Sequence, residues 1–153
     1  MNARTHLLIA MLFGWVYLNF IQVLAFQEKF IFALFLVGSA LLPDIDDPQS
    51  TLGRKHKIIS SLTSHRGILH SIWIPVIAFI VARYIPLIQA PLLGLAIGYG
   101  SHLASDALTI KGIAPLAPLM KFRIKWFVRT GSFVETIIAA LIVMFFIVQP
   151  LAI

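Results

Sequence analysis

Long stretches without Asp, Glu, Lys or Arg dominate the sequence, and short charged or proline-containing segments separate them. The stretches are Leu7–Gln27, Phe30–Pro43, Gly67–Ala82, Tyr84–Ser105 and Thr136–Ile153. We interpret each stretch as a helix, because a helix satisfies its backbone hydrogen bonds internally in apolar surroundings. The first, fourth and fifth stretches have the roughly 17–25 residues that a bilayer crossing requires.

The second and third stretches are shorter. Phe30–Pro43 has 14 residues, which suits a tilted or half-buried arm of a hairpin. The third stretch is long enough only if Arg83 extends its charged end from the helix to the membrane surface. Pro75 predicts a kink near Ser71 in the third helix, because proline removes a backbone hydrogen bond. Pro86 and Pro91 predict a turn between the third and fourth helices.

The composition agrees with a membrane protein. Of the 153 residues, 59% are hydrophobic and 12% are charged, and the mean hydropathy is +0.94. A soluble domain of this size could not bury so much apolar surface. We therefore predict an all-α integral membrane bundle of about five helices, forming one domain over residues 1–153. The chain has no cysteine, so any metal site must use histidine and carboxylate ligands.

The distribution of Lys and Arg predicts the orientation, since positive residues are retained on the cytoplasmic side of a membrane. On one predicted side of the membrane, Lys29 and Arg83 are the only Lys or Arg residues. The other side holds Arg4, Arg54, Lys55, Lys57, Arg66, Lys111, Lys121, Arg123, Lys125 and Arg129. We therefore predict a cytoplasmic N-terminus, two cytoplasmic long loops and an outward C-terminus. These cations are scattered at the ends of apolar stretches, so we expect no nucleic-acid partner despite the formal charge of +6.

The residues that suit chemistry share the predicted cytoplasmic face. All histidines, and all acidic residues except Glu28, lie there. Ionisable groups near a membrane are costly to desolvate and usually pair with one another for a function. A divalent cation would neutralise several of these carboxylates at once.

Two pairs of residues supply candidate ligands. His102 and Asp106 are four residues apart, so on a helix they share one face and can bind one ion. A hydrogen bond at the helix end explains this pair equally well. His65 and His70 frame the entrance to the third helix, where Gly67 lets the backbone turn both rings toward one point. A solvated loop histidine beside a helix-terminal histidine would explain that spacing without a metal.

Acidic residues also follow the second stretch and precede the fifth. In an extended turn after Pro43, Asp44 and Asp46 project to one side, and paired carboxylates suit Zn²⁺, Mn²⁺ or Mg²⁺. Their alternative role is an ordinary helix stop. His6 and Glu135 lie at the same predicted level. The alternative for Glu135 is a favourable negative charge at a helix N-terminus.

At these residues the sequence resembles the YdjM-type family of LexA-regulated inner-membrane metal-dependent hydrolases. The resemblance covers nearly the whole chain in the family's order. It rests on His6, Leu42-Pro43-Asp44-Ile45-Asp46, His65-Arg66-Gly67-Ile68-Leu69-His70-Ser71, His102-Leu103-Ala104-Ser105-Asp106-Ala107-Leu108-Thr109 and Gly112. The family looks distantly similar to zinc-dependent phospholipase C and the P1-type nucleases, which are helical enzymes that bind zinc through His and Asp and cleave phosphoesters.

The resemblance implies a membrane-bound hydrolase that uses a metal-activated water to cleave a phosphoester, with membrane lipids as partners or substrate. The expected cofactor is Zn²⁺, with Mn²⁺ or Mg²⁺ as alternatives. Asp46 would be a ligand or a general base, and Arg66 would hold the substrate phosphate or simply a lipid phosphate. The predicted metal ligands are His6, Asp44, Asp46, His65, His70, His102, Asp106 and Glu135.

Two other classes of protein fit part of the pattern. A metal transporter or sensor would use the same ligands without catalysis. A transporter, however, needs ligands near the middle of the membrane, and these lie at one end of the helices. A structural subunit of a membrane complex would use the polar cluster only to join helices and would bind no metal.

Overall fold

The computed structural model describes residues 1–46, 68–120 and 122–149. These residues form α1 (Ala3–Phe20), α2 (Phe26–Ser39), α3 (Trp73–Tyr84), α4 (Gln89–Ala107) and α5 (Phe133–Val148). Short 3₁₀ turns at Leu42–Asp46, Ile68–His70 and Pro86–Ile88 lie next to these helices. No β-strand occurs in the described ranges, where pairing is limited to two isolated bridges. Within these ranges, the predicted all-α architecture of about five helices is confirmed.

The helix α4 lies at the centre of the bundle and packs against α1, α2 and α3. Its close approach to α2 depends on two glycines. A Cβ atom at Gly94 would overlap the Phe32 carbonyl oxygen, and one at Gly98 would overlap the Leu36 carbonyl oxygen and Ser39 Oγ. Glycine at these positions therefore lets the two backbones meet.

The side-chain contacts define the direction of each helix. Gly94, Gly98 and His102 of α4 meet Phe32, Leu36 and Ala40 in turn, so α4 runs parallel to α2. On α1, His6 meets Ser105, whereas Tyr17 stacks on Phe32. The helix α1 is thus antiparallel to both α2 and α4. A short turn joins α3 and α4 into a second hairpin.

The direction of α5 follows from its contacts with α1. Asn2 donates to Glu135 near the start of α5, and Trp15 packs edge-on against Phe145 near its end. These two helices are therefore parallel. As a result, the starts of α1, α3 and α5 and the ends of α2 and α4 meet at one end of the bundle, which we call the polar end.

Several helix boundaries differ from the charge-free stretches. The helix α3 begins at Trp73, because the 3₁₀ turn Ile68–His70 precedes it. Pro75 thus lies in the first turn, where no intrahelical hydrogen bond is available to be lost. Ser71, where the kink is predicted, lies before the helix, between it and the 3₁₀ turn. The predicted turn at Pro86 is confirmed by the 3₁₀ turn there, while Pro91 lies in the first turn of α4.

One helix within the described ranges is long and apolar enough to cross a membrane. It is the 22-residue helix Pro86–Ala107, with a hydropathy of 1.2. The helices α3 and α5 are apolar but shorter, at 12 and 16 residues. The first and fifth stretches therefore yield shorter helices than their charge-free lengths predicted, partly because α1 ends at Phe20.

Residues 108–132 connect α4 to α5, and we call them the α4–α5 segment. The described part of this segment is irregular, with turns, bends and isolated bridges. Its two ends pair through the bridge Thr109↔Val128, and Ile113 exchanges two backbone hydrogen bonds with Ile124. Gly112 has a φ of 63°, and a Cβ atom there would overlap the Ile124 carbonyl oxygen. The turn that brings the two arms together therefore requires glycine.

Candidate metal centre

Four side chains from three parts of the chain converge at the polar end. They are Asp44, His70, His102 and Asp106, and one ligand atom from each lies within 4.8 Å of all the others. The three residues His70, His102 and Asp106 are almost fully buried, whereas the side chain of Asp44 is 18% exposed. The cluster is thus enclosed on most sides and reaches solvent on the side of Asp44.

Local structure explains how each residue reaches the cluster. His102 and Asp106 are four residues apart on α4 and therefore occupy one face of that helix. Asp44 belongs to the 3₁₀ turn that follows α2, and His70 ends the 3₁₀ turn that precedes α3. The Tyr99 hydroxyl, also on α4, donates to the Leu69 carbonyl oxygen and fixes the backbone beside His70.

The hydrogen bond of His102 determines which ring nitrogen faces the cluster as an acceptor. His102 Nδ1 lies 2.8 Å from the Ala40 carbonyl oxygen. A carbonyl can only accept, so Nδ1 carries the hydrogen and Nε2 of the neutral ring presents a lone pair. Within the described ranges, Nε2 has no hydrogen-bond partner. In metal sites, a backbone carbonyl typically accepts a hydrogen bond from the ring nitrogen that does not bind the metal and so orients the histidine.

The distances within the cluster suit a shared cation better than direct hydrogen bonds. His102 Nε2 lies 3.6 Å from Asp44 Oδ1 and 3.9 Å from Asp106 Oδ2. His70 Nε2 lies 3.9 Å and 3.8 Å from the same two oxygens. These separations exceed normal hydrogen-bond lengths. They allow an ion about 2.0–2.2 Å from each ligand atom, which is the range for zinc with nitrogen and oxygen ligands.

The charge of the cluster also favours a bound cation. Two carboxylates lie beside two imidazoles in a largely buried site, and burying such charges without compensation costs free energy. Asp106 Oδ1 also contacts the amino group of Met1 at 2.7 Å. A divalent cation between Asp44 and Asp106 could be bound by both carboxylates. The four residues can therefore hold a divalent metal ion.

His6 lies beside these four residues but outside the group whose ligand atoms are all mutually close. Its ring stacks on His102 at a centroid distance of 3.9 Å, and its Nε2 lies 3.5 Å from Asp106 Oδ1. His6 Nδ1 lies 2.7 Å from Ser105 Oγ, whose hydroxyl donates to the His102 carbonyl oxygen. The structure thus places His6 against the flat face of a candidate ligand.

Glu135, another predicted ligand, does not join the cluster. Its Oε1 accepts a hydrogen bond of 2.6 Å from the backbone N–H of Asn2, and its Oε2 accepts one of 2.6 Å from that of Gly131. Both oxygens are therefore engaged by backbone donors at the start of α5. This matches the alternative prediction, in which Glu135 is a negative charge at a helix N-terminus.

The side chains of three predicted site residues are not described by the structure. His65 and Arg66 lie outside the described ranges, and Asp46 is described only through its backbone. Their predicted roles therefore stay predictions.

Two contributors to the site were not found from the sequence. Ser105 and the carbonyl of Ala40 hold His6 and His102 in place. Ser105 could have been found, because it lies three residues after His102 on the same helix and so faces the same way. The contribution of Ala40 depends on a helix–helix contact that no local pattern encodes.

Comparisons with known proteins identify relatives. The family described as YdjM inner membrane protein matches residues 1–152. The uncharacterized protein YvsG of Bacillus subtilis (strain 168) is 41% identical over an alignment of 109 positions, with 66% of each chain covered. The inner membrane protein YdjM of Escherichia coli (strain K12) is 37% identical over 90 residues, which are 52% of this chain and 45% of that protein. No solved structure matches significantly. The chain thus spans about half to two thirds of the curated relatives it matches.

Asp106 and Glu135 are both predicted as metal ligands from the sequence, but only Asp106 belongs to the cluster in the structure. We expect Asp106→Asn to weaken divalent-metal binding at least about tenfold, because it replaces a ligand at the centre of the cluster. The matched variant Glu135→Gln should bind metal as the parent chain does, since Glu135 bonds to backbone amides instead. Elemental analysis after equilibration in metal buffers measures both. Equal metal loss in the two variants would contradict this assignment.

Proposed function

The chain belongs to the YdjM family of inner membrane proteins, and we propose that it is a metal-dependent hydrolase that cleaves a phosphoester at the membrane. The observation that carries the proposal is the convergence of Asp44, His70, His102 and Asp106 at one end of the bundle. The proposed reaction class, phosphoester hydrolysis, is inferred from the distant resemblance of the family to zinc-dependent phosphoesterases. The cluster supplies the place where such chemistry would occur.

Zinc is the metal that we propose for the site. Two imidazoles and two carboxylates form a mixed nitrogen and oxygen set that suits Zn²⁺, and the chain lacks cysteine ligands. Mn²⁺ or Mg²⁺ would favour more oxygen ligands, so they are the second choice. When bound, the ion would lower the pKa of a coordinated water to about 7 and polarise a phosphoryl oxygen.

The residues of the chain have distinct proposed roles. His70, His102 and Asp106 are buried and would hold the ion, with Ala40 orienting His102. Asp44 lies on the exposed side, from which water and substrate would approach. Asp46 follows two residues later and would act as a further ligand or a general base. Arg66 would hold the phosphate through its planar guanidinium.

The position of the cluster favours an enzyme over a transporter. All four residues lie at the polar end, where two helices begin or end in 3₁₀ turns. Transporters place their ion sites near the middle of the membrane, on discontinuous helices. A non-catalytic metal protein is the main alternative, and it would share every ligand with the hydrolase.

A multi-pass inner-membrane topology with the polar end in the cytoplasm completes the proposal. Among the described cations, Lys111, Arg123, Lys125 and Arg129 follow α4 at this end, whereas Lys29 and Arg83 lie at the other. This asymmetry obeys the retention of positive residues in the cytoplasm.

Cysteine labelling tests this orientation, because the chain has no native cysteine. Both Gln27 and Thr130 are exposed, and they lie at opposite ends of the bundle, Gln27 in the first turn of α2 and Thr130 shortly before α5. In intact cells, an impermeant maleimide should label Gln27→Cys. It should label Thr130→Cys only after the membrane is permeabilised. The reverse pattern would place the metal centre outside the cytoplasm.

Turnover by zinc-loaded protein in lipid tests the hydrolase directly. We expect cleavage on a panel of lipid and soluble phosphoesters, loss of cleavage on chelation and recovery on adding zinc. Asp44→Asn should lower metal content and turnover together. If Asp46 is a base, Asp46→Asn should lower turnover about 10²–10⁴-fold with little loss of metal. Arg66→Lys should weaken substrate binding, because an ammonium lacks the bidentate fork.

Metal-replete protein with no turnover on the whole panel would contradict the hydrolase. In that case, assays of metal flux in vesicles would distinguish a transporter from a sensor.

A further inference from the structure

We propose that the α4–α5 segment binds the headgroups of anionic phospholipids and so holds the polar end of the bundle at the membrane surface. The first observation is an exposed apolar surface on this segment. Five large side chains are each at least 59% exposed: Leu119, Met120, Phe122, Trp126 and Phe127. Such a concentration of exposed apolar side chains marks an interaction surface.

The irregular backbone of the α4–α5 segment indicates how deep in the membrane the segment lies. The described residues 108–120 and 122–132 contain no helix, and their pairing consists of two isolated bridges. Lipid-exposed irregular backbone is excluded from the hydrocarbon core, because its N–H and C=O groups would lose hydrogen bonds there. Exposed Trp and Phe side chains instead fit the interface between headgroups and acyl chains.

The charge of the segment identifies the lipid class. Between Asp106 and Glu135 the sequence contains five cations and no acidic residue. They are Lys111, Lys121, Arg123, Lys125 and Arg129. A basic segment interleaved with aromatic residues is complementary to a surface of anionic phospholipid, and each such cation contributes about fivefold to binding.

A cavity provides the headgroup site. It has a volume of about 380 Å³ and is lined by Thr109, Ile110, Lys111, Val128, Arg129 and Thr130. Two cations and two hydroxyl-bearing residues surround it. Arg129 can bind a phosphate through two parallel N–H donors, and Lys111 adds a second positive charge. We assign this cavity to the phosphate of an anionic lipid.

The segment is also attached to the elements that form the metal centre. Thr109 Oγ1 donates to the Asp106 carbonyl oxygen at 2.7 Å. At the start of α3, Ile72 N–H donates to the Pro115 carbonyl oxygen and Trp73 Nε1 donates to that of Ala117. Lipid bound to the segment would therefore hold the metal centre at headgroup depth, whether or not the centre is catalytic.

Fluorescence quenching by brominated lipid tests the proposal with the full chain. The protein is placed in phosphatidylcholine vesicles that contain equal mole fractions of either brominated phosphatidylglycerol or brominated phosphatidylcholine. The difference in quenching between the parent protein and Trp126→Phe gives the quenching of Trp126, because Trp15 and Trp73 are present in both proteins. We expect the phosphatidylglycerol to quench Trp126 more strongly, since it collects around the segment.

A charge-matched pair of variants locates the binding site. Lys111→Gln with Arg129→Gln should lower the preference of Trp126 for phosphatidylglycerol by up to about fivefold per cation. Lys29→Gln with Arg83→Gln removes the same charge at the opposite end and should preserve the preference. Equal quenching by both lipids would overturn the proposal. Absence of quenching by either lipid would also overturn it, since water or a protein partner would then cover Trp126.

Discussion

The close packing of α4 against α2 is the constraint on which the metal centre depends. Glycines at 94 and 98 let the two backbones touch, and the contact carries on to His102, whose Nδ1–H bonds to the Ala40 carbonyl. Asp44 follows four residues after Ala40, so the same contact brings this carboxylate to His102. A side chain at either glycine would push α2 and α4 apart. The candidate ligands Asp44 and His102 would then also move apart.

Much of this arrangement could be predicted from the sequence, because its signals are local. Charge-free stretches give the number of helices, and a spacing of four residues places His102 and Asp106 on one face. The gathering of acidic residues and histidines at one end follows from the hairpin order of the helices. The resemblance to the YdjM-type family also predicts His70 and Asp44 as ligands.

The remaining features depend on contacts between distant parts of the chain. Glu135 has the composition of a ligand, but the backbone amides of Asn2 and Gly131 engage both of its oxygens. The pairing of Ile113 with Ile124 requires a turn at Gly112 that hydrophobic periodicity does not reveal. Whether Asp46, His65 and Arg66 contribute to the site stays a prediction from the sequence.

X-ray absorption spectroscopy of the zinc-loaded protein in lipid tests the central claim most directly, because it reports the atoms around the ion. The account predicts nitrogen and oxygen neighbours at about 2.0–2.2 Å, with the multiple scattering of two imidazole rings. The ring signal should weaken in His102→Ala. Zinc surrounded only by water oxygens, or an unchanged spectrum in His102→Ala, would contradict a metal centre at these residues.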